Sequence, residues 1–294
     1  MAPLVTLITG CSTGIGLATA VKLAKDANKY IVYATMRNLP KKGDLEQAAG
    51  SALNDTLFIR QLDITKEESI VDAVKTIKEK HGKVDILVNN AAFGWMGPLE
   101  EMTMAHMRNM SETNIVGTFR MTQEVIPIMK RQRSGRIVNI SSLGGINGKG
   151  YFPFSDVYSA TKFAMEGFTE AFHPVLKCFN VKISTVCPGP VLTSFQENMI
   201  ANQDPEAKSS DAEVPTKKMF TGFMGALMAP IMAAAQSSDE IADVIIDCIK
   251  SEDPALRCGT DENTNKLLRD RFNGGIGDAA AQNWYKMMQT ASKH

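Results

Sequence analysis

Short β-branched runs alternate with longer amphipathic stretches along most of this chain, and that alternation is the strongest constraint on its fold. The runs are Leu4–Thr9, Tyr30–Thr35, Leu57–Leu62, Asp85–Asn89, Arg136–Ile140, Lys182–Val186 and Ala255–Cys258. Runs of this length, rich in Val and Ile and polar at the ends, suit parallel strands buried on both faces. Helix-like stretches lie between them, near 15–27, 67–81, 100–131, 156–178 and 239–250. Strand–helix alternation implies an α/β fold, a doubly wound parallel sheet with right-handed crossovers. Such a sheet binds ligands beyond the carboxyl ends of its strands. The 294 residues show no repeat and no composition break, so the whole of 1–294 reads as one domain.

Composition excludes several classes of function. Lys+Arg and Asp+Glu both number 32, so no global field draws the chain to nucleic acid or anionic lipid. The five Cys form no C-x-x-C pair, which reads as free thiols in a reducing, cytoplasmic setting. No ligand spacing for a metal stands out. Met1-Ala2-Pro3 carries no basic region or cleavage site, so no secretory signal is expected. The uncharged stretch Met219–Ser238 is marginal as a membrane span, because Gly222, Gly225, Pro230 and several polar residues interrupt it.

The first strand ends in Thr9-Gly10-Cys11-Ser12-Thr13-Gly14-Ile15-Gly16 and runs into a helix. Gly10 lets the chain turn, Gly14 lets backbone approach a pyrophosphate, and Gly16 lets helix and strand pack closely. The helix N-terminus then offers unpaired N–H groups to phosphate. The second strand ends Ala34-Thr35-Met36-Arg37, followed by Lys41 and Lys42 before the first acid, Asp44. A guanidinium pairs with a ribose 2′-phosphate, which an acid would repel. The expected cofactor is therefore NADP(H), with Ser12 adding a hydrogen bond from the loop.

Asn139-Ile140-Ser141-Ser142 closes the fifth strand, and Tyr158-Ser159-Ala160-Thr161-Lys162 opens a helix. Tyr158 and Lys162 at i, i+4 share one face. An ammonium beside a phenol is expected to lower its pKa and make Tyr158 a general acid or base. Ser142, at the end of a neighbouring strand, is placed to bond the reacting oxygen.

The chain resembles the short-chain dehydrogenase/reductase family over about residues 3–260. The resemblance is carried by Thr9-Gly10-x-x-x-Gly14-Ile15-Gly16, Asn89-Asn90-Ala91, Asn114, Ser142, Tyr158-x-x-x-Lys162 and Cys187-Pro188-Gly189. It implies a Rossmann-type sheet of seven strands with the nicotinamide cofactor across its carboxyl edge. It also implies Tyr158 as catalytic acid/base, Ser142 orienting the substrate oxygen, Lys162 on the nicotinamide ribose, and Asn114 holding a water that leads to Lys162. Asp63 would lie beside the adenine, Asn90 would brace the sheet near the cofactor, and Pro188, Val191 and Thr193 would contact carboxamide and pyrophosphate. Gly10-Cys11-Ser12-Thr13-Gly14, Thr35-Met36-Arg37 and Phe154-Ser155-Asp156-Val157-Tyr158 are similar to the family's NADP(H) branch of retinol and hydroxysteroid dehydrogenases. Two departures stand out. Ala92 replaces a usual glycine, and the Ser142–Tyr158 interval is about three residues longer than is common, through Gly148-Lys149-Gly150-Tyr151.

The segment 194–235 does not fit the alternation. Its second half carries Phe220, Phe223, Met224, Leu227, Met228, Ile231 and Met232 at helical spacing, broken by Pro230. The stripe reads as core packing, as an adaptable lid over an apolar pocket, or as a patch touching a bilayer interface. As a lid it would line a substrate site with Gly144, Phe220, Met224 and Met228. The lid holds no His to meet a phenolic steroid's distal hydroxyl. A second cluster, Met102, Met104, Met107 and Met110, starts the fourth helix. The family pairs this helix and the Tyr158 helix across subunits, which implies a homodimer or homotetramer. The expected activity is hydride transfer between NADP(H) and a lipophilic alcohol/carbonyl pair. The rivals are a broad-specificity carbonyl reductase and a non-catalytic NADP(H)-binding sensor. Pro174, inside the Tyr158 helix, is expected to kink it.

Overall fold

Seven strands pair in parallel in the order β3-β2-β1-β4-β5-β6-β7. In this computed structural model residues 2–26, 29–146, 153–195, 199 and 214–273 are described, with backbone alone at 227–228 and 271–273. The strands are β1 (Leu4–Ile8), β2 (Tyr30–Met36), β3 (Leu57–Gln61), β4 (Ile86–Asn89), β5 (Gly135–Ile140), β6 (Val181–Cys187) and β7 (Arg257–Gly259). Each coincides with one of the β-branched runs. Side-chain alternation sends Ile8, Val88 and Val138 to one face and Leu7, Leu87 and Ile137 to the other. α1 (Gly14–Lys25), α2 (Gly43–Ala49) and α8 (Ser238–Lys250) cover the first face. α3 (Glu67–His81), α5 (Thr118–Gln132) and α6 (Asp156–Lys177) cover the second.

A buried polar ladder crosses the second face. Asn89 Nδ2 donates to Asn139 Oδ1 at 2.8 Å and to Thr122 Oγ1 at 3.1 Å, and Asn139 Nδ2 donates to Thr169 Oγ1 at 2.9 Å. The ladder ties β4, β5, α5 and α6 into one register, because a slip of any of them would strand a buried amide. The helix that carries Tyr158 is thus held against the strand that carries Ser142.

Several elements differ from the sequence expectation. The stretch 100–131 is not one helix. α4 (Met104–Ser111) passes through a π-helical turn, Glu112–Gly117, into α5. The turn carries Asn114, which is fully buried. Helix α2 and helix α9 (Glu262–Asn273) were not expected, being short or weakly patterned. The stripe in the second half of 194–235 lies on a helix, α7 (Val214–Ala233), as its spacing implied, but the helix runs through Pro230 instead of breaking there. Likewise α6 continues helical past Pro174 to Lys177. The five thiols are all free. Among the described residues no helix is long and apolar enough to cross a membrane, and no cluster of side chains is set to hold a metal ion.

Candidate active site

The sheet order reverses between β1 and β4, and their carboxyl ends open a cleft of about 480 Å³. Thr9 and Asn90 hold it open. Thr9 Oγ1 accepts from the N–H groups of Asn90 and Ala91, both at 3.0 Å, while Asn90 Nδ2 donates to Thr9 O and Gly10 O, both at 2.9 Å. Gly10 turns off β1 at φ +73°, and a Cβ there would sit 2.8 Å from Ala91 Cα. Gly16 lies behind the cleft, not in its wall. A Cβ on Gly16 would collide with Gly10 O and Asn90 Nδ2. Gly16→Ala is therefore expected to cost about 1–3 kcal/mol of folding free energy, read as a lowered denaturant midpoint.

Ser12, Thr13, Gly14 and Ile15 line one end of the cleft, where α1 begins. Thr13 gives α1 no side-chain cap, and the first turn holds no acid. Thr13 Oγ1 instead meets Ser194 Oγ at 3.0 Å. The terminal N–H groups and the positive end of the helix dipole thus face the cleft, which is what a pyrophosphate needs. Arg37 and Lys41 border the same end. Lys42 does not take part, because it pairs with Glu46 at 2.8 Å along α2. Asp63 also lines the cleft, its Oδ1 accepting from Thr65 N and Oγ1 at 3.0 and 2.8 Å.

Ser142, Tyr158 and Lys162 converge in the middle of the cleft, facing Pro188, Val191 and Thr193 from the loop after β6. Ser142 Oγ accepts from Gly144 N at 3.0 Å, and its hydroxyl lines the cleft beside the Tyr158 phenol, near enough to act on its pKa. Lys162 is buried and donates from Nζ to Ile140 O at 2.7 Å, with Nζ 5.7 Å from the Tyr158 ring centroid. Asn114 is behind this group. It donates from Nδ2 to Phe93 O at 2.8 Å and to Thr161 Oγ1 at 2.9 Å, and it accepts from Phe93 N at 2.8 Å.

With this geometry in view, comparisons with known proteins agree on one family. The short chain dehydrogenase profile matches residues 4–204. Retinol dehydrogenase 8 of Bos taurus is 43% identical over 269 residues, 91% of this chain and 84% of that one. 17-beta-hydroxysteroid dehydrogenase type 1 of Homo sapiens is 38% identical over 280 residues, 94% of this chain and 83% of its own.

The chain belongs to the short-chain dehydrogenase family.

Solved structures carry the same fold. A short-chain dehydrogenase from Streptomyces avermitilis superposes with a TM-score of 0.75 at 27% identity, covering 99% of this chain and 98% of that one. ElxO with NADP bound gives 0.71 at 26% identity over 90% and 99%. This short-chain dehydrogenase is accordingly an oxidoreductase of CH–OH groups that works with a nicotinamide dinucleotide, and it falls beside the retinol and 17-beta-hydroxysteroid dehydrogenases.

One electrostatic expectation is corrected. Burial pushes the Tyr158 phenol up to about 12, against the opposing effect of Ser142. Lys162 does not lower it, because its Nζ is turned to the Ile140 carbonyl and its own pKa is pulled down to about 8 by burial. In this dehydrogenase the phenol therefore stays protonated near neutral pH and is not a ready phenolate.

The other end of the cleft is apolar. Phe93, Met96, Phe195, Met199 and Met232 line it, beside Gly144. Phe220 and Met224 do not reach the cleft wall. They pack against the cluster of Met96, Met199 and the fully buried Phe223, with Phe220 edge-on to Phe154, one layer back. The Met228 side chain and the Gly148–Tyr151 loop lie outside the described residues. Lys217 of α7 pairs with Glu101 at 3.5 Å, tying this helix to the turn before α4. Sequence reasoning missed Phe93 and Met96. Their signal was their place directly after β4, at the edge where ligands bind.

Proposed function

We propose that the chain is an NADP(H)-dependent oxidoreductase of lipophilic alcohol/carbonyl pairs, retinoid- or steroid-like in class, with Tyr158 as general acid/base. The observation that carries this reading is the polarity of one continuous cleft: cations at one end, the Ser142–Tyr158–Lys162 group in the middle, and aromatic and Met side chains at the other. The relatives named for retinol and 17-beta-hydroxysteroids support the substrate class.

A bound dihydronicotinamide supplies the hydride in the reducing direction. The chain does the rest. The α1 N-terminus, with Gly10, Ser12, Thr13, Gly14, Ile15 and Thr193, binds the pyrophosphate, and Arg37 with Lys41 takes the 2′-phosphate. Asp63 borders the adenine, Asn90 holds the crevice open, and Pro188 and Val191 flank the nicotinamide. Ser142 holds the substrate oxygen and stabilises charge as it grows there. Tyr158 gives that oxygen its proton, or removes it in the oxidising direction. Lys162 holds the nicotinamide ribose. Asn114 fixes the Phe93 carbonyl and Thr161 behind Lys162. The apolar end excludes water and selects a hydrophobic substrate.

The experiment is a panel of retinoids, steroids and small aromatic carbonyls with NADPH and NADH, read as kcat/KM. A lipophilic substrate favoured at least about tenfold over small carbonyls, roughly what burying two further methylene groups provides, is expected. Equal rates across the panel would assign a general carbonyl reductase, and no consumption of NADPH a sensor.

Subunit pairing through α4 and α6 belongs to the same reading, supported by exposed Met104, Phe163 and Val175 on those helices. Exposed Val214 at the start of α7 supports contact between the lid and a lipid surface, and the free thiols support a cytoplasmic setting.

A further inference from the structure

One turn along α6 from Lys162 stands Glu166, a buried acid that the reading above leaves without a task. Its Oε2 accepts from Arg257 Nε at 2.9 Å and from Thr185 Oγ1 at 3.2 Å. Its Oε1 accepts from Cys187 Sγ at 3.5 Å. Arg257 Nη2 continues to Glu170 Oε2 at 2.7 Å. One carboxylate thus joins α6 to the carboxyl end of β6, just before Pro188, and to β7.

The i, i+4 spacing sets Glu166 on the same side of α6 as Lys162. Lys162 needs such a neighbour. It is a buried cation, and the bond that holds its Nζ runs to a carbonyl, a dipole without net charge. Among the described residues its surroundings are otherwise poor in negative charge. On its own helix it faces Tyr158, a phenol held protonated, and Glu166. From β6 it faces Cys187, whose thiol burial pushes well up, so it stays neutral. The turn after β5 presents the Ser142 hydroxyl, and Asn114 in the π-helical turn bonds Phe93 and Thr161. Glu112 of that turn is paired with Arg120. Among the described residues the negative charge acting on Lys162 is therefore that of Glu166, and Arg257 of β7 offsets part of it.

We propose that Glu166 is a positioning residue that acts through Lys162: the Glu166–Arg257 pair sets how much positive charge Lys162 carries at the working pH. The proposal rests on the role given to Lys162 above. The balance differs in sign for the two partners. Without the carboxylate, Lys162 gives up its proton at lower pH. Without the guanidinium, the carboxylate acts in full and Lys162 keeps its proton to higher pH.

The test is the pH dependence of the NADPH dissociation constant, read by nucleotide fluorescence on the full chain, alongside kcat/KM. In the unsubstituted protein a limb near 8 is expected, the value to which burial draws Lys162, and it should be absent in Lys162→Met. Glu166→Gln should move the limb down by about one pH unit, the low end of what a neighbouring opposite charge does. Arg257→Gln should move it up. Loss of mere packing would not shift the two variants in opposite directions. An unmoved limb, a shift of the same sign in both, or failure of both variants to fold would overturn the proposal and leave the pair a structural tie. Should Glu166→Gln alone fail to fold, the direction in Arg257→Gln decides. The reading of the site fails separately, through a Tyr158→Phe protein that keeps its turnover, because the binding limb does not depend on that step.

Discussion

Tyr158→Phe is expected to lower kcat about 10²- to 10⁴-fold, the range that a positioned general acid contributes. NADPH affinity should change by no more than about threefold, a difference well under 1 kcal/mol. The split follows from the structure. The substitution removes one hydroxyl, on the side of the phenol that lines the cleft with Ser142. It leaves the ring, its contact with Phe195 at 5.8 Å, and the distant α1 terminus in place. The direction of the phenol's shift adds a pH signature. With its value up at about 12, Tyr158 is protonated across the neutral range. Carbonyl reduction consumes that proton and should not gain from rising pH. Alcohol oxidation needs the phenolate and should speed up as pH rises from 7 to 10 (roughly tenfold per unit where that step limits, since the phenolate fraction scales so). Turnover within a few-fold of the parent in Tyr158→Phe would remove Tyr158 from the proton-transfer role.

Arg37→Leu should reverse the cofactor preference. A hydrogen bond to a charged group contributes about 1.5–3 kcal/mol, which is roughly a 10- to 150-fold fall in kcat/KM with NADPH. NADH, which has no 2′-phosphate, should be nearly unaffected. The effect belongs at the low end of that range, because Arg37 is solvent-exposed and Lys41 shares the same end of the cleft. Double substitution of Arg37 and Lys41 should bring it to the high end. Lys42→Ala is the control. Its ammonium is engaged by Glu46, so it should alter neither cofactor's kinetics. Equal losses with NADPH and NADH in Arg37→Leu would assign the residue to folding or to the shared part of the dinucleotide.

Much of this site was legible in linear order because its parts are local. The phosphate loop is a contiguous run from Gly10 to Gly16, and Tyr158 and Lys162 lie four residues apart on one helix. Hydrophobic periodicity exposed the strands, since a parallel strand buried on both faces has to be a short unbroken apolar run. Helix α7 was legible only in part: helical spacing marked its apolar stripe but not its full extent. Its Met, Ala and Gly residues give little contrast between faces, and Pro230 reads as a stop although the helix passes through it. The π-helical turn at Asn114 was hidden because nothing in Glu112–Gly117 departs from an ordinary helical pattern.

The sequence by itself determined the fold class, the phosphate loop, the cationic end of β2 and the Tyr158–Lys162 pair. Each depends on spacing within one element or across one turn, where backbone geometry alone sets what meets what. Tertiary structure decided what depends on contacts between distant segments. It turned Lys41 into the cleft and Lys42 out of it. It set Phe93, Met96, Phe195 and Met199 around the apolar end while placing Phe220 and Met224 one layer behind. It brought Arg257 to Glu166 across 91 positions of chain. Above all, it packed Tyr158 partly buried into the cleft wall and turned the Lys162 ammonium to Ile140, so that desolvation, not the neighbouring charge, governs the phenol. Burial is a property of the packed whole, and no local pattern of residues encodes its size.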